Sequence, residues 1–418
     1  MGTGVKKPEL LMPASNLEVL KTAVRYGADA VYIGGSAYGL RAGARNFTPD
    51  DMRTGIRYAH EHGVHVHVTV NILAHNDDMD GIRDYLYELK EMQPDALIIA
   101  DPGVFDLAGA ICPGIDRHIS TQANNTNAGT FEFWHRLGAA RIVCARELSL
   151  REIREIRERV PEGLEIETFI HGAMCISYSG RCLLSSYMAG RDANRGACTH
   201  PCRWKYSVVE ETRPGEFMPV FENERGSFIF HSKDLCMIGH MDDLIDAGID
   251  SFKVEGRMKN ALYVATVCRA YRHAIDTCLA DRDSYRAHIP WYLEQVSGCT
   301  HRAFDTGFFY GRPGEEGQVY GGSPYHKDRI YLGIAGQICD PDCGDGAGKR
   351  FMLEQKNKFS VGDEIEIMDP DGRDRRAVVL SITDTEWNAQ ESAPHAKQMV
   401  IVTLSEPVRG GEVLRSAE

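Results

Sequence analysis

No run of this 418-residue chain approaches the length and apolarity of a membrane span. The opening residues, MGTGVKKPELLMPAS, hold too short an apolar stretch for a secretory signal. These two absences lead to the expectation of a cytoplasmic protein with no membrane role. Basic residues are in deficit: 47 Lys and Arg against 60 Asp and Glu leave a net charge of −13. The molecule as a whole is therefore not drawn to nucleic acid, and any RNA contact needs a local basic surface. H-E-x-x-H and G-x-S-x-G are missing, so neither a zincin site nor a nucleophile elbow is visible. No glycine-rich dinucleotide fingerprint follows the first strand-like run, and no internal repeat is present.

From Glu9 to about Leu279, short apolar runs alternate with amphipathic segments. The strand candidates are ELLMPA, AVYIGG, HVHVTVNIL, ALIIADPG, HISTQA, ARIVCAREL, EIETFIHG and SFKVEGR. Helix-period patterns lie between them, at 16–26, 49–62, 79–92, 150–160 and 235–247. Apolar runs of this length separated by helices predict parallel strands buried on both faces. Eight strand–helix units in about 270 residues match a (β/α)8 TIM-like barrel; a doubly wound open sheet is the alternative. In such a barrel the chemistry sits at the C-terminal ends of the strands. Those ends read Asn71, Asp101, Gln122, Asn124, Arg146, Glu147, Glu167, His171 and Glu255, although Asp101-Pro102-Gly103 also reads as a turn.

The barrel is expected to occupy residues 8–280, with a cysteine-rich insertion at 171–236 and a hairpin or long excursion within 208–231. Residues 281–328 read as a linker. Residues 329–418, where short strands alternate with turns such as DPDG, read as a small all-β barrel.

In a reducing compartment, twelve cysteines argue for metal or redox chemistry rather than a disulfide framework. Cys112, Cys144, Cys268 and Cys278 lie in apolar contexts and read as core. Cys175, Cys182, Cys198 and Cys202 differ, because they lie among Gly, Ser, Asn and Arg in a stretch with no apolar periodicity. Such a stretch can fold back and gather thiolates, and four soft thiolates select an iron–sulfur cluster or zinc. Gaps of six, fifteen and three residues are looser than the paired C-x-x-C of zinc ribbons, which favours a cluster. Ordinary buried cysteines remain the plain alternative.

ETFIHGAMCISYSGRCLLSS at 167–186 resembles the signature of the collagenase-like peptidases of unassigned catalytic type. KPELLMPASNLEVLKTAVRYGADAVYIGG, SKDL, SFKVEGRMK and KNKFSVGDEIEIMDPDGR extend the resemblance over essentially the whole chain, to the family's long two-domain members. Within that family the chain looks like the branch that hydroxylates tRNA, forming 5-hydroxyuridine at the wobble position. The resemblance implies a 4Fe–4S cluster and prephenate as hydroxyl donor. It also leaves open ribosomal RNA or a quinone as substrate, proteolysis under the family's older label, and a further protein partner.

Carried onto this chain, the resemblance puts Cys175, Cys182, Cys198 and Cys202 on the cluster, with Cys236 as an alternative fourth ligand. Cys236 is expected at a helix start, where a thiolate is favoured. A small dicarboxylate co-substrate calls for guanidinium forks, and Arg146, Arg181, Arg203 and Arg257 are the candidates, with Arg41 and Arg45 as further ones. Asn71, Gln122 and Asn124 are expected around the substrate, and His171 and Glu255 are expected to move protons. His171 precedes Cys175 by four residues, the pair on which a thiol peptidase reading depends.

Overall fold

Eight parallel strands close on themselves in chain order: β1 (Glu9–Pro13), β2 (Ala30–Ile33), β3 (His65–Val70), β4 (Ala96–Ile99), β5 (Asp116–Ile119), β6 (Arg141–Val143), β7 (Glu165–Ala173) and β8 (Ser251–Val254). β8 pairs in parallel with both β1 and β7, which completes the TIM-like barrel and excludes the open sheet. The computed structural model describes residues 6–35, 38–39, 46–175, 178–204, 207–209, 217–219, 232–313, 317, 329–340 and 346–417. Among these no helix is long and apolar enough to cross a membrane.

The helices begin where the sequence supplies caps. Asn16, Thr48, Asp101, Asn127 and Asn260 accept from backbone N–H groups at the starts of α1 (Leu17–Arg25), α2 (Pro49–Glu61), α4 (Pro102–Ile111), α5 (Ala128–Arg136) and α9 (Ala261–Ala280). Ser149 and Glu152 form a capping box on α6 (Leu150–Arg159). Asp101 is therefore a helix cap, where its Pro-Gly context had read as a turn. The remaining helices are α3 (Met79–Met92), α7 (Leu184–Ala189), α8 (Met241–Asp246) and α10 (Arg282–Ser297). α10 falls inside the expected linker. Its Tyr285 and Tyr292 are fully buried and stack on each other, and Tyr285 Oη accepts from Met241 N at the start of α8 and donates to Ile238 O, so this stretch is part of the packed body.

Side chains alternate along each strand, and the barrel interior is unusually polar for this fold. The small inner apolar cluster is Leu11, Ala30, Tyr32 and Ile98. Beside it stands an ion network on β1, β6, β7 and β8. Arg141 bonds Glu9 at 2.5 Å, Glu165 at 2.7 Å and Glu167 at 3.1 Å, and Lys253 Nζ lies 2.6 Å from Glu167 Oε1. Burial alone would raise the Glu167 carboxyl, but Lys253 and Arg141 outweigh it and hold it below its usual value. Glu167 thus lies in mid-barrel, away from the strand end where the sequence placed it. Burial drives the His67 imidazole down to about 4 and pushes His118 well below its usual value, with Arg141 adding to the effect.

A second barrel follows. β9 (Tyr331–Ile338), β10 (Gly348–Glu354), β11 (Glu364–Met368), β12 (Arg375–Thr383), β13 (Met399–Val408) and β14 (Val413–Ser416) form an antiparallel sheet that closes through β11–β12. It docks on α1 and α9. Tyr26 Oη donates to Met368 O at 2.8 Å and accepts from Val413 N at 3.0 Å, while Arg269 bonds Asp374 and the carbonyl of Asp369. Tyr331, Met368 and Val413 belong to the large barrel's apolar cluster, while the rest of the second barrel encloses a core of its own. Of the expected excursion, 207–209 and 217–219 pair antiparallel, and 210–216 and 220–231 lie outside the described residues.

Two expectations follow. Arg269→Met removes one of the two arginines paired with Asp374, leaving Arg415 at 3.1 Å, and should lower unfolding free energy by about 1.5–3 kcal/mol in denaturant titration. A loss below about 1 kcal/mol would mark the pair as peripheral. Acid should also destabilise the fold early. His67, His118 and His171 have folded pKa values depressed below their unfolded ones, so below about pH 6.5 the unfolded state binds more protons. Each costs about 1.4 kcal/mol per pH unit as pH falls toward the folded value. Stability unchanged between pH 7 and 5 would contradict this.

Candidate functional site

At the C-terminal mouth of the large barrel lies a pocket of about 160 Å³. Its floor and walls come from strand ends: Thr69 on and Asn71 after β3, Ser120 and Gln122 after β5, Arg146 after β6, Phe169 on β7, and Lys253, Glu255 and Arg257 on and after β8. Its cover is the segment that leaves β7, which contributes Cys175, Cys182, Cys198 and Cys202 to the same lining.

Three cations face this space. Lys253 is 4% exposed and stands at the floor between Glu167 and the rings of Tyr32, 4.6 Å away, and Phe169. Arg146 lies 3.9 Å over the Phe169 ring, donates to Ala173 O at 2.8 Å and sits 3.8 Å from Glu255. Arg257, 5% exposed, bonds Thr69 Oγ1 at 3.2 Å and Asn46 Oδ1 at 2.9 Å. Its approach depends on Gly34, where a methyl group would overlap the guanidinium. Gly172, at φ +108°, lets β7 bend past the Glu255 carbonyl and so aims Glu255 into the pocket. Glu255 is the one carboxylate among the described lining residues, so the pocket favours an anionic guest.

The cysteine segment is held by specific bonds rather than by a core. Leu73 N donates to Asn194 O at 3.2 Å, Asn194 Nδ2 to Cys182 O at 3.3 Å, Thr199 N to Ser185 Oγ at 3.1 Å, and Arg195 pairs with Asp78 at 2.7 Å. His200 N lies 3.4 Å from Cys198 Sγ, a backbone donor of the kind that stabilises a metal-bound thiolate. Cys175 is exposed and the other three are half-buried. Four cysteine sulfurs are the donor chemistry a cluster takes, but among the described residues no three His, Cys, Asp or Glu side chains converge closely enough to hold a metal ion as they stand.

Several expected site residues lie elsewhere. His171 is 1% exposed, its Nδ1 3.3 Å from Tyr271 Oη and its ring packed near Tyr263 and Phe304. Burial holds it neutral, down to about 3, so it neither moves protons in the pocket nor pairs with Cys175. Cys236 ends a short strand, Asp234–Cys236, pairs with β7 opposite His171 and touches Tyr271. Burial raises its thiol to about 11, the reverse of the helix-start effect expected, and it does not line the pocket. Asn124 adopts φ 56° and closes a turn by donating to Gln122 O, and Arg181 is exposed outside the lining. Arg41, Arg45 and the Arg203 side chain lie outside the described residues. Lys253 was not among the expected site residues, yet alternation along SFKVE turns Ser251, Lys253 and Glu255 to the same side.

Thiol reactivity should separate the two cysteine classes. In metal-free protein near pH 8, iodoacetamide should modify Cys175, Cys182, Cys198 and Cys202 well before Cys144 or Cys236, whose thiols burial raises to about 12 and about 11. Peptide mass mapping reads the order, and early labelling of Cys236 would place it with the pocket group.

Models of two domain families match the chain: peptidase family U32 over residues 15–319, and its C-terminal domain over 334–415. The "tRNA hydroxylation protein P1" of Bacillus subtilis is 40% identical over 99% of this chain and 96% of its own length. The "tRNA hydroxylation protein P" of Escherichia coli is 38% identical over 88% of this chain and 87% of its own. The "23S rRNA 5-hydroxycytidine C2501 synthase" of Escherichia coli is 34% identical over 74% of this chain and 46% of its own. By the match to both domains and the similarity along nearly its whole length, the chain belongs to peptidase family U32.

Proposed function

We propose that this protein hydroxylates RNA, converting the wobble uridine of tRNA to 5-hydroxyuridine without molecular oxygen. The observation that carries the reading is one pocket lined by four cysteines as well as by Arg146, Lys253 and Arg257. Full-length similarity to proteins named for tRNA hydroxylation supports the choice of RNA over a quinone.

In this reading Cys175, Cys182, Cys198 and Cys202 hold a 4Fe–4S cluster, which supplies a redox-active or Lewis-acidic centre when bound. The three cations hold a small dicarboxylate donor, with prephenate the expected one. Arg257 offers a guanidinium fork oriented by Thr69 and Asn46, and Lys253 offers a point charge fixed by Glu167. Glu255, beside Arg146, is placed to take the proton leaving the pyrimidine carbon. Aromatic Tyr32 and Phe169 narrow the floor and exclude water from the charges they face. The peptidase reading loses its base, because His171 is enclosed in the core away from Cys175.

Nucleoside mass spectrometry on tRNA from cells with and without the gene tests the reading. The gene should restore 5-hydroxyuridine, Cys175→Ala should abolish it together with protein-bound iron, and Arg257→Gln should lower it at least about tenfold with iron content unchanged. Undiminished 5-hydroxyuridine in the Cys175→Ala strain would overturn the cluster assignment. Full activity of Arg257→Gln would remove that residue from the donor site.

A further inference from the structure

The cover of the pocket has an outer face that the catalytic reading does not use. Residues 175–204 carry four arginines, Arg181, Arg191, Arg195 and Arg203, with Asp192 the one acidic residue and no lysine, in a chain whose net charge is −13. The same stretch exposes large apolar side chains: Tyr187 is 87% exposed, Leu183 69%, Tyr178 45% and Trp204 40%. Ser185 is the one buried residue of α7, so this helix contributes almost nothing to a core. It is tied down through Ser185 and Thr199 and packs against the turn Pro201–Arg203 that precedes Trp204. Arg195 is committed to Asp78, whereas the guanidinium groups of Arg181 and Arg191 pair with no side chain among the described residues.

Exposed aromatics interleaved with unpaired arginines have one nucleic-acid reading: flat rings take bases by stacking, and the cations between them take phosphates. The inner side of this segment lines the pocket through Tyr178, Asn194 and His200. The exposed residues and the pocket lining thus alternate within one short segment. The target carbon of a base within a duplex stack cannot enter a pocket sunk into a barrel, so the nucleotides on this face are unpaired.

We propose that the outer face of the cysteine segment, centred on Tyr187 and Trp204 with Arg181 and Arg191, is a stacking platform for the unpaired nucleotides that flank the target base. The proposal rests on the RNA reading above and extends it. It assigns RNA docking to the pocket's own cover rather than to the C-terminal barrel, and it makes recognition depend on strand flexibility more than on base identity.

Fluorescence anisotropy with a short single-stranded RNA containing uridine, and with the same RNA annealed to its complement, tests this. The protein is the full chain purified without oxygen, with iron content matched between variants. Wild type should prefer the single strand. Tyr187→Ala and Trp204→Ala should each weaken binding by about tenfold while leaving its salt dependence unchanged, and Tyr187→Phe should bind as wild type. Arg181→Gln and Arg191→Gln should each lower the slope of log affinity against log salt by about 0.7. Tyr187 is almost wholly exposed, so its variants should fold normally, which thermal denaturation checks. Wild-type binding with unaltered affinity in both alanine variants would overturn the platform while leaving an RNA substrate intact. Absence of RNA binding by wild type would instead remove the RNA reading on which it rests. A change in oligomeric state with no change in RNA affinity would assign the face to protein contact and also overturn the proposal.

Discussion

The ion network inside the large barrel is the constraint on which the rest of the molecule turns. Arg141 on β6 reaches Glu9 on β1 and both Glu165 and Glu167 on β7, and Glu167 passes the contact to Lys253 on β8. These are the strands that meet where the barrel closes. Charges this deeply buried are costly unless each is paired, so the alternating order of signs leaves the closed barrel as the arrangement that satisfies them all. Its last member is also the floor of the pocket. Structural closure and the placement of a functional cation are thus one set of contacts, and a change that disturbs Glu167 reaches the site directly.

The site above that floor is assembled from parts of opposite character. Below, strand ends fix Arg146, Glu255 and Arg257 through hydrogen bonds and close packing at Gly34 and Gly172. Above, the cysteine segment has little apolar support and is held by side-chain and backbone hydrogen bonds to Leu73, Asp78 and its own turns. A rigid anion-binding floor under a loosely cored cover suits a reaction in which a small donor binds first and a large substrate lies across the top. The cover, with four arginines against one acidic residue, has a local positive excess in a chain of net charge −13.

The C-terminal barrel is joined by more than surface contact. Tyr26 spends both roles of its hydroxyl on backbone atoms of that domain, and Arg269 is buried against Asp374. Tyr331, Met368 and Val413 extend the apolar cluster of the first barrel, beside α1 and α9, and α9 directly follows the loop that carries Glu255 and Arg257.

Much was legible from residue order alone. All eight strand runs and the change to short antiparallel strands after Tyr331 follow from periodicity and local hydrogen bonding, which act within a few residues. The grouping of Cys175, Cys182, Cys198 and Cys202 was likewise visible, because a polar stretch without periodicity has no core for its cysteines to join. What tertiary structure decided is which polar groups face the pocket. His171 and Cys236 sit beside plausible motifs yet turn into the apolar layer against Tyr271, where desolvation keeps one neutral and the other protonated. Lys253 and Glu167 lie mid-strand, where alternation assigns a side but cannot say that the inside of this barrel is ionic. Even the linker's α10 became part of the body once α9 offered it a surface. Sequence determines local conformation because its causes are local; burial and charge pairing depend on partners far apart in the chain, and only the closed fold brings those together.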